Sequence, residues 1–171
     1  MLEALLNNKQ IKSKEKTETI SKWILEKSLS VDELIALAVS SKDPVKATCI
    51  EALEFATNTN PEIVSLNCLL FVTGTLMEKA PRIKWESARV VGNIAHLYPN
   101  HLDKAITNLL ANSEHSGTVV RWSAAFALGQ ILILKTKVNK TLLPAIEAIC
   151  EREEKNSIKK IYFSAIKKSR N

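Results

Sequence analysis

The stretch Val120–Gly129, VRWSAAFALG, decides the fold of this 171-residue chain because it recurs along the sequence. Three other segments align with it, Val45–Leu53, Ile83–Val91 and Ile158–Ile166, and successive segments begin 37 or 38 residues apart. Each segment begins with a β-branched aliphatic residue followed by Lys or Arg, and small or apolar residues recur at its fifth, sixth, eighth and ninth places. Self-similarity at a fixed period of this size predicts an array of stacked structural repeats. We number the places of each segment from its first residue, so that Val120 occupies place 1.

Within the quoted stretch, the apolar residues have the spacing of a helix with one buried face. Val120, Ala124, Ala127, Leu128 and Ile131 lie on that face by the i, i+3, i+4, i+7, i+8 rule. The small side chains among them let a second helix approach closely. Another amphipathic stretch precedes each aligned segment after a short turn, and these stretches are Val31–Val39, Ile63–Met77, Leu102–Leu110 and Leu142–Ile149. The repeating unit is therefore predicted to be a helical hairpin.

Helix-breaking residues fall where hairpins require turns. Those at or near predicted helix starts, where proline is tolerated in the first turn, are Asp43-Pro44, Asn60-Pro61, Pro81, Pro99, Ser116-Gly117 and Pro144. Four Gly and five Pro residues in the whole chain are too few for a protein made of many short strands and tight turns. The abundant Leu, Ala, Ile, Lys and Glu residues favour helix, so we expect an all-α fold.

The quoted stretch resembles the second helix of HEAT repeats, a family in which this helix typically reads Asp-x-x-Val-Arg-x-x-Ala-Ala-x-Ala-Leu-Gly. Val120–Gly129 is close to that pattern throughout, Ile83–Gly92 fits it well, and Val45–Leu53 fits it moderately. The last segment departs from the pattern, because Tyr162 and Phe163 stand where small residues are usual. A degenerate final repeat is typical of a terminal cap.

The resemblance implies an α-solenoid, that is, a right-handed α-α superhelix in which the second helices line the concave side. We expect one domain over 1–171, with about four HEAT-like helical hairpins behind N-terminal capping helices. The predicted units are capping helices in 1–29 and hairpins in 30–60, 61–98, 99–137 and 138–171. A lone hairpin buries too little apolar surface to offset the entropy of ordering it, so each unit depends on its neighbours.

The composition is that of a soluble globular protein, with 46% hydrophobic, 25% charged and 5% aromatic residues. No apolar run approaches the roughly 18 residues that a membrane span needs, so we expect no membrane partner. Cys49, Cys68 and Cys150 are odd in number and lie in unrelated contexts. We therefore expect free thiols and a reducing, cytoplasmic location rather than a disulfide framework.

Charge is concentrated near the C-terminal end. Residues 135–171 carry 10 basic and 4 acidic side chains, whereas residues 1–134 carry 14 of each. A local excess of this kind can attract phosphates or an acidic protein. The alternative interpretation is the solvated outer face of an end helix.

Residue patterns for catalysis or metal binding are missing from the sequence. The chain has no Gly-rich phosphate loop, no Cys-x-x-Cys and no His-Glu-x-x-His pattern. His96 and His101 are five residues apart across Pro99, which does not place two imidazoles on one helical face for a metal ion. We predict no catalytic residue, no metal site and no cofactor.

The outward side of the second helices predicts a recognition surface. Trp122 is two residues before Ala124, so at 100° per residue the two side chains point about 160° apart and Trp122 faces outward. Phe126 and Ile133 continue the same stripe. The partner-binding residues predicted on the concave face, in two successive repeats, are Trp85, Glu86, Arg89, His96, Trp122 and Phe126. The alternative is that each Trp leans sideways into the groove between repeats and contributes packing only.

A basic residue occupies place 2 of every segment, as Lys46, Lys84, Arg121 and Lys159. The HEAT resemblance implies that this residue pairs with a nearby Asp to form a ladder along the stack, and Asp43 alone is well placed for that role. Alternatively, basic side chains contact phosphates or an acidic partner, and the candidates are Lys84, Arg121, Lys159, Lys160 and Lys167.

Two functions are consistent with these features. The first is a non-enzymatic scaffold that holds a protein or peptide in its concave groove. The second is nucleic-acid binding, because the chain is similar in size, basicity and concave tryptophans to the HEAT-like alkylpurine DNA glycosylases. That resemblance implies a catalytic Asp one turn after a concave Trp, but Arg89 and Phe126 occupy those positions and Glu86 points about 100° away. We therefore expect no glycosylase activity.

Overall fold

The computed structural model describes every residue, 1–171, and contains helices and their connections without strands. The ten α-helices span, in chain order, α1 Leu2–Asn7, α2 Ser13–Leu25, α3 Val31–Ser40, α4 Asp43–Thr59, α5 Leu66–Thr75, α6 Pro81–Ile94, α7 Asp103–Asn112, α8 Thr118–Leu132, α9 Asn139–Arg152 and α10 Asn156–Arg170. Two short 3-10 helices, Pro61–Ile63 and Ala95–Leu97, precede α5 and follow α6. The prediction of an all-α fold is confirmed.

The first turn of a helix has backbone amide groups without a partner in the helix. Several helices of this chain begin with a side chain that accepts a hydrogen bond from such an amide, or with a proline, which has no amide hydrogen. The Oγ atom of Ser30 accepts a hydrogen bond from the Glu33 amide at 3.1 Å, and the Glu33 carboxylate accepts one from the Ser30 amide at 3.1 Å. This capping box starts α3. Hydrogen bonds from the Ser30 amide and hydroxyl also hold the pKa of Glu33 below its ordinary value. Pro44 and Pro81 lie in the first turns of α4 and α6, where no amide hydrogen is needed.

The prediction that Pro144 lies near a helix start is wrong. Helix α9 begins at Asn139 and contains Pro144 in its interior. The Asn139 side-chain amide donates a hydrogen bond to the Leu132 carbonyl at 2.8 Å, which ties the beginning of α9 to the end of α8. Pro144 is exposed, so water can reach the carbonyl group that its missing amide leaves free.

The helices form two rows. Helices α2, α4, α6, α8 and α10 pack side by side in chain order, and we call them the second-helix row. Helices α3, α5 and α7 pack against one another and against the second helices, while α1 packs on α2 and α9 packs on α8 and α10. This regular translation of one packed unit is the architecture of an α-solenoid, and α2 occupies its first rung.

One continuous apolar core runs the length of the stack. It comprises 42 buried residues, from Leu6 in α1 to Ile166 in α10. Alanines are frequent where second helices meet, since α4 buries Ala47, Ala52 and Ala56 and α8 buries three more. Small side chains allow these helices to approach closely. In the last helix, Tyr162 is wholly buried and the neighbouring Phe163 is 54% exposed.

Candidate functional site

The solvent-facing side of the second-helix row is formed by places 3, 7, 11 and 14 of the aligned segments, and we call it the second-helix face. These places recur on one side of a helix because they are three or four residues apart. All but one of their residues are exposed or half-buried. Those that matter below are Glu51 and Asn58 in α4, Trp85, Arg89, Asn93 and His96 in and after α6, Trp122, Phe126, Gln130 and Ile133 in and after α8, and Lys160, Ser164 and Lys168 in α10.

An aromatic stack lies on α8. The rings of Trp122 and Phe126 are 6.3 Å apart between centroids and inclined by 11°. Trp122 is 38% exposed, as its position in the repeat predicts. Phe126 is half-buried because its ring also packs on α6, where a Cβ atom built on Gly92 would lie 2.5 Å from Phe126 Cε1. The absence of a side chain at Gly92 therefore provides the space that Phe126 occupies.

One rung earlier, Trp85 is held by its neighbour in the sequence. Its Nε1–H group donates a hydrogen bond to Glu86 Oε1 at 3.0 Å, and the indole is half-buried. The Glu86 side chain is buried against α4, and its Oε2 atom has no hydrogen-bond partner. Trp85 therefore contributes packing between rungs as well as surface, whereas His96 lies exposed beyond the end of α6.

Three carboxylates and two guanidinium groups meet between α4 and α6, and we call them the carboxylate cluster: Glu51, Glu54, Glu86, Arg82 and Arg89. Arg82 forms an ion pair with Glu51, and Arg89 Nη2 lies 3.1 Å from Glu54 Oε1. The Glu54 side chain is only 4% exposed, and its Oε2 atom has no hydrogen-bond partner. The cluster thus carries one more acidic than basic group at a largely buried position.

Burial has the largest effect on the pKa values of Glu54 and Glu86 in this cluster. It raises the pKa of Glu86 to about 7, with the charges of Glu51 and Glu54 acting in the same direction and the Trp85 hydrogen bond and Arg89 opposing them. Burial also raises the pKa of Glu54, and attraction to Arg89 offsets that effect only in part. Glu86 can therefore hold or release a proton near neutral pH.

The sequence places Glu51 and Glu54 on the equivalent stripe of the earlier repeat, but they were not among the predicted partner-binding residues. The signal that could have found Glu54 is its position, because place 10 holds Glu54 in α4 and glycine, Gly92 or Gly129, in α6 and α8. A carboxylate at the place where α6 and α8 have glycine against the next helix is expected to be buried there. A buried carboxylate in turn requires a cation, which Arg89 supplies.

The place-2 residues Lys46, Lys84 and Arg121 form a ladder of contacts along the stack, whereas Lys159 forms no ion pair, and the expectation that Asp43 is the acidic partner is wrong. Lys46 Nζ donates to Glu78 Oε1 at 2.9 Å, and Arg121 Nε donates to Glu153 Oε2 at 3.0 Å. Both acceptors lie just beyond the first helix of the following hairpin, 32 residues later. Asp43 instead lies in the first turn of α4, where its charge suits the helix dipole.

The ladder uses two of the side chains considered for phosphate or acidic contacts. Lys84 Nζ donates to Asn112 Oδ1 at 3.3 Å and to the Leu76 carbonyl at 3.2 Å, and burial lowers its pKa. Burial alone would raise the pKa of Glu153, but the hydrogen bonds from Arg121 and the Lys155 amide outweigh it and hold that pKa below its ordinary value. Arg121 is thus held within the chain.

Other chemistry-bearing groups are scattered or inert. No group of three His, Cys, Asp or Glu side chains is placed to hold a metal ion. Cys49, Cys68 and Cys150 are free and buried, and burial raises the pKa of the Cys49 and Cys68 thiols to about 12. None of the helices is both long and apolar enough to pass through a membrane.

Comparisons with known proteins agree with this architecture. Residues 81–131, which include α6, α7 and most of α8, match the family described as HEAT-like repeat. An engineered protein of known crystal structure matches with a TM-score of 0.77 and 17% identity, over 98% of this chain and 78% of that chain. The comparison with curated proteins finds no match.

Two further structures are designed armadillo repeat proteins. One, in complex with the peptide (KR)4, matches with a TM-score of 0.74 and 16% identity, over 98% of this chain and 80% of that chain. The other, described as designed for modular peptide recognition, matches with a TM-score of 0.75 and 14% identity over the same shares. At these identities the similarity concerns the fold. Residues 81–131 therefore match the HEAT-like repeat family, and the chain as a whole shares the α-solenoid fold of these structures.

Proposed function

We propose that this chain is a non-enzymatic scaffold that holds a protein or peptide partner on its second-helix face. The observation that carries the proposal is the stack of Trp122 on Phe126. Phe126 is fixed between Trp122 and Gly92, so the exposed face of Trp122 is offered in one orientation. A rigid aromatic surface loses little entropy on binding, and Trp residues often dominate binding energy.

The surroundings of the stack also suit a peptide. Trp85 and the carboxylate cluster lie one rung before it, and the lysines of α10 lie one rung after it. A segment laid along the row would meet aromatic, acidic and basic groups in succession. One designed armadillo repeat protein of this fold is described in complex with the peptide (KR)4 and another as designed for modular peptide recognition, which supports the same use of the solenoid here.

The test is affinity capture with the full tagged chain from a lysate of cells that express it. We expect Trp85→Ala/Trp122→Ala to lose at least tenfold of the captured protein, measured by quantitative mass spectrometry, with unchanged helical circular dichroism. The matched control is Leu70→Ala, which truncates a side chain that is 57% exposed on α5, outside the second-helix face. Equal capture by the wild type and the double variant contradicts the proposal.

The same proteins distinguish nucleic-acid binding. Duplex and single-stranded DNA are titrated into the wild-type chain across a salt series, with fluorescence as the readout. Binding that weakens steeply as salt rises, without protein capture that depends on the tryptophans, favours the alternative that the chain binds nucleic acid through phosphate contacts. Absence of DNA binding at low salt leaves the scaffold proposal in place.

A further inference from the structure

A groove between α8 and α10 remains open on the second-helix face. Its volume is about 310 Å³, and its residues are Phe126, Gly129, Gln130, Ile133, Lys160, Ile161, Ser164, Ala165 and Lys168. The floor is apolar, and no acidic residue lines it. The groove adjoins the aromatic stack through Phe126, which belongs to both.

The repeat explains why this groove is open at place 7. The groove between α2 and α4 is open farther along, where Phe55 and Asn58 line it together with Glu18 and Glu26. Place 7 of each earlier rung carries a side chain that reaches back to the preceding helix: Glu51 to Thr17, Arg89 to Glu54, and Phe126 to Gly92. In α10 the same place holds Ser164, which is too short to do so and is exposed. The last rung therefore lacks the large side chain that reaches the preceding helix from place 7 in α4, α6 and α8.

The charge around the groove is of one sign. Lys160 and Lys168 line it and form no ion pair within the chain. Helix α10 carries five basic residues and no acidic one, and α8 carries Arg121 as its one charged residue. An acidic occupant is therefore attracted, and a basic occupant is repelled.

We infer that the α8–α10 groove binds an acidic peptide segment that inserts one aromatic or large aliphatic side chain beside Phe126. That side chain takes the place that Ser164 leaves empty, and flanking carboxylates meet Lys160 and Lys168. The inference rests on the proposed function, since it names the chemistry of the partner. A nucleic acid suits the groove less well, because the apolar floor favours an apolar side chain over a phosphate and the Phe126 ring is already stacked on Trp122.

The test uses the full chain and three fluorescein-labelled 10-residue peptides. The first has a central Phe flanked by Glu and Asp, the second keeps Phe but has Lys and Arg at the acidic positions, and the third keeps the acids but has Ala for Phe. We expect the first to bind at least tenfold more tightly than either of the others by fluorescence anisotropy. In ¹H–¹⁵N spectra it should shift the amide signals of Gly129, Gln130 and Lys160.

Two variants test the groove, one by filling its apolar space and the other by reversing its charge. Ser164→Phe supplies the missing side chain from within, so we expect at least a tenfold loss of peptide binding together with a melting temperature about 2–4 °C higher, because a ring is buried. Lys160→Glu/Lys168→Glu should lose at least tenfold as well. The matched control, Lys104→Glu/Lys140→Glu, changes the net charge equally at exposed sites on α7 and α9 and should bind as the wild type does.

Several results would overturn the inference. These are no binding of the first peptide, equal binding of the acidic and basic peptides, unchanged binding by Ser164→Phe, or capture of single-stranded DNA in place of peptide. Failure here is distinguishable from failure of the scaffold proposal. If the captured partner is released by Trp85→Ala/Trp122→Ala but not by Ser164→Phe, the second-helix face binds a partner whose contacts lie outside the α8–α10 groove.

Discussion

The contact between α4 and α6 and the contact between α6 and α8 use the same places of the repeat with opposite chemistry. In the first, Glu54 at place 10 meets Arg89 at place 7 of the next helix, 3.1 Å apart. In the second, Gly92 at place 10 meets the ring of Phe126 at place 7. Place 4 differs in the same way, since Glu86 is buried in α6 and Ser123 is buried in α8.

The difference shows that the backbone of the stack fixes where side chains meet but not how they interact. Desolvation of a carboxylate costs free energy that its ion-pair partner only partly returns. A ring over a glycine has no such cost and adds apolar burial. The stability of the α4–α6 contact should therefore depend on pH and on the charges of its side chains. The stability of the α6–α8 contact should depend on the volume of its side chains.

The largest expected effect is the pH dependence that Glu86 imposes. Its pKa is raised from 4.5 to about 7 in the folded chain, so the folded state binds more protons than the unfolded state between these values. The stability associated with the protonated group is complete below pH 4.5 and is lost as pH rises through about 7. We expect Glu86→Gln to be more stable than the wild type at pH 8 by up to about 3 kcal/mol and equally stable at pH 4, measured by urea unfolding.

A spectroscopic readout separates this titration from the others. The chain has three tryptophans, and the Trp85 Nε1–H group bonds to Glu86 while Trp122 stacks on Phe126. We expect the Trp85 indole ¹H–¹⁵N signal to move with a midpoint near pH 7, and the Trp122 signal to stay in place. A pH-independent Trp85 signal, or parallel stability profiles for the wild type and Glu86→Gln, would show that Glu86 is not buried as described.

The second-largest effect is expected from removal of the Arg89 charge. Arg89→Met keeps a long apolar side chain but leaves the buried Glu54 carboxylate without its ion pair. We expect the free energy of unfolding at pH 7 to fall by about 2 kcal/mol, which is within the usual cost of an unsatisfied buried polar group. Urea unfolding of the purified variant measures it.

The double variant Glu54→Met/Arg89→Met turns this contact into an apolar one, like that between α6 and α8. It should regain most of the loss, because replacing both members of a buried pair by apolar residues is often neutral or stabilising. Lys14→Met is the control, since it breaks an exposed Lys14–Glu18 pair on α2 and should change stability little. If the double variant were no more stable than Arg89→Met, the α4–α6 contact would require charged side chains at positions 54 and 89.

The contrast also shows what a sequence can and cannot reveal. The solenoid was predictable because the 37- or 38-residue spacing and the small residues of each second helix are properties of single segments. The register between neighbouring helices is not, because it depends on how far one helix slides past the next. Arg89 therefore looked like a free cation on the surface, although the residue it meets, Glu54, lies 35 positions earlier.

The same limitation hid the ladder partners. Glu78 and Glu153 each lie 32 residues after the basic residue from which they accept a hydrogen bond. Both are in connections between helices, and only packing determines where these connections lie relative to the preceding hairpin. Trp122 was predicted correctly as exposed because its angle from Ala124 follows from one helix alone. The half-burial of Phe126 was not predicted, since it depends on a glycine in another helix.

The smallest effect is expected from substitution of Gly92. Gly92→Ala should gain up to about 1 kcal/mol from helix propensity, but its Cβ atom would lie 2.5 Å from the Phe126 ring. Displacing a half-buried ring that is stacked on Trp122 costs about 1–3 kcal/mol. We expect a net loss of stability of about 1 kcal/mol, together with a change in Trp122 fluorescence as the stack opens.

Removing the ring should reverse the sign of this substitution. A Phe126→Ala background removes the three ring atoms nearest to the added methyl group, so Gly92→Ala should there raise the free energy of unfolding. Gly74→Ala is the matched control in the native chain, because a Cβ atom at Gly74 in α5 meets no atom within 4 Å and only the gain in helix propensity remains. If Gly92→Ala were stabilising in both backgrounds, Phe126 would not be held on α6, and the aromatic stack would lack the rigidity on which the proposed partner binding rests.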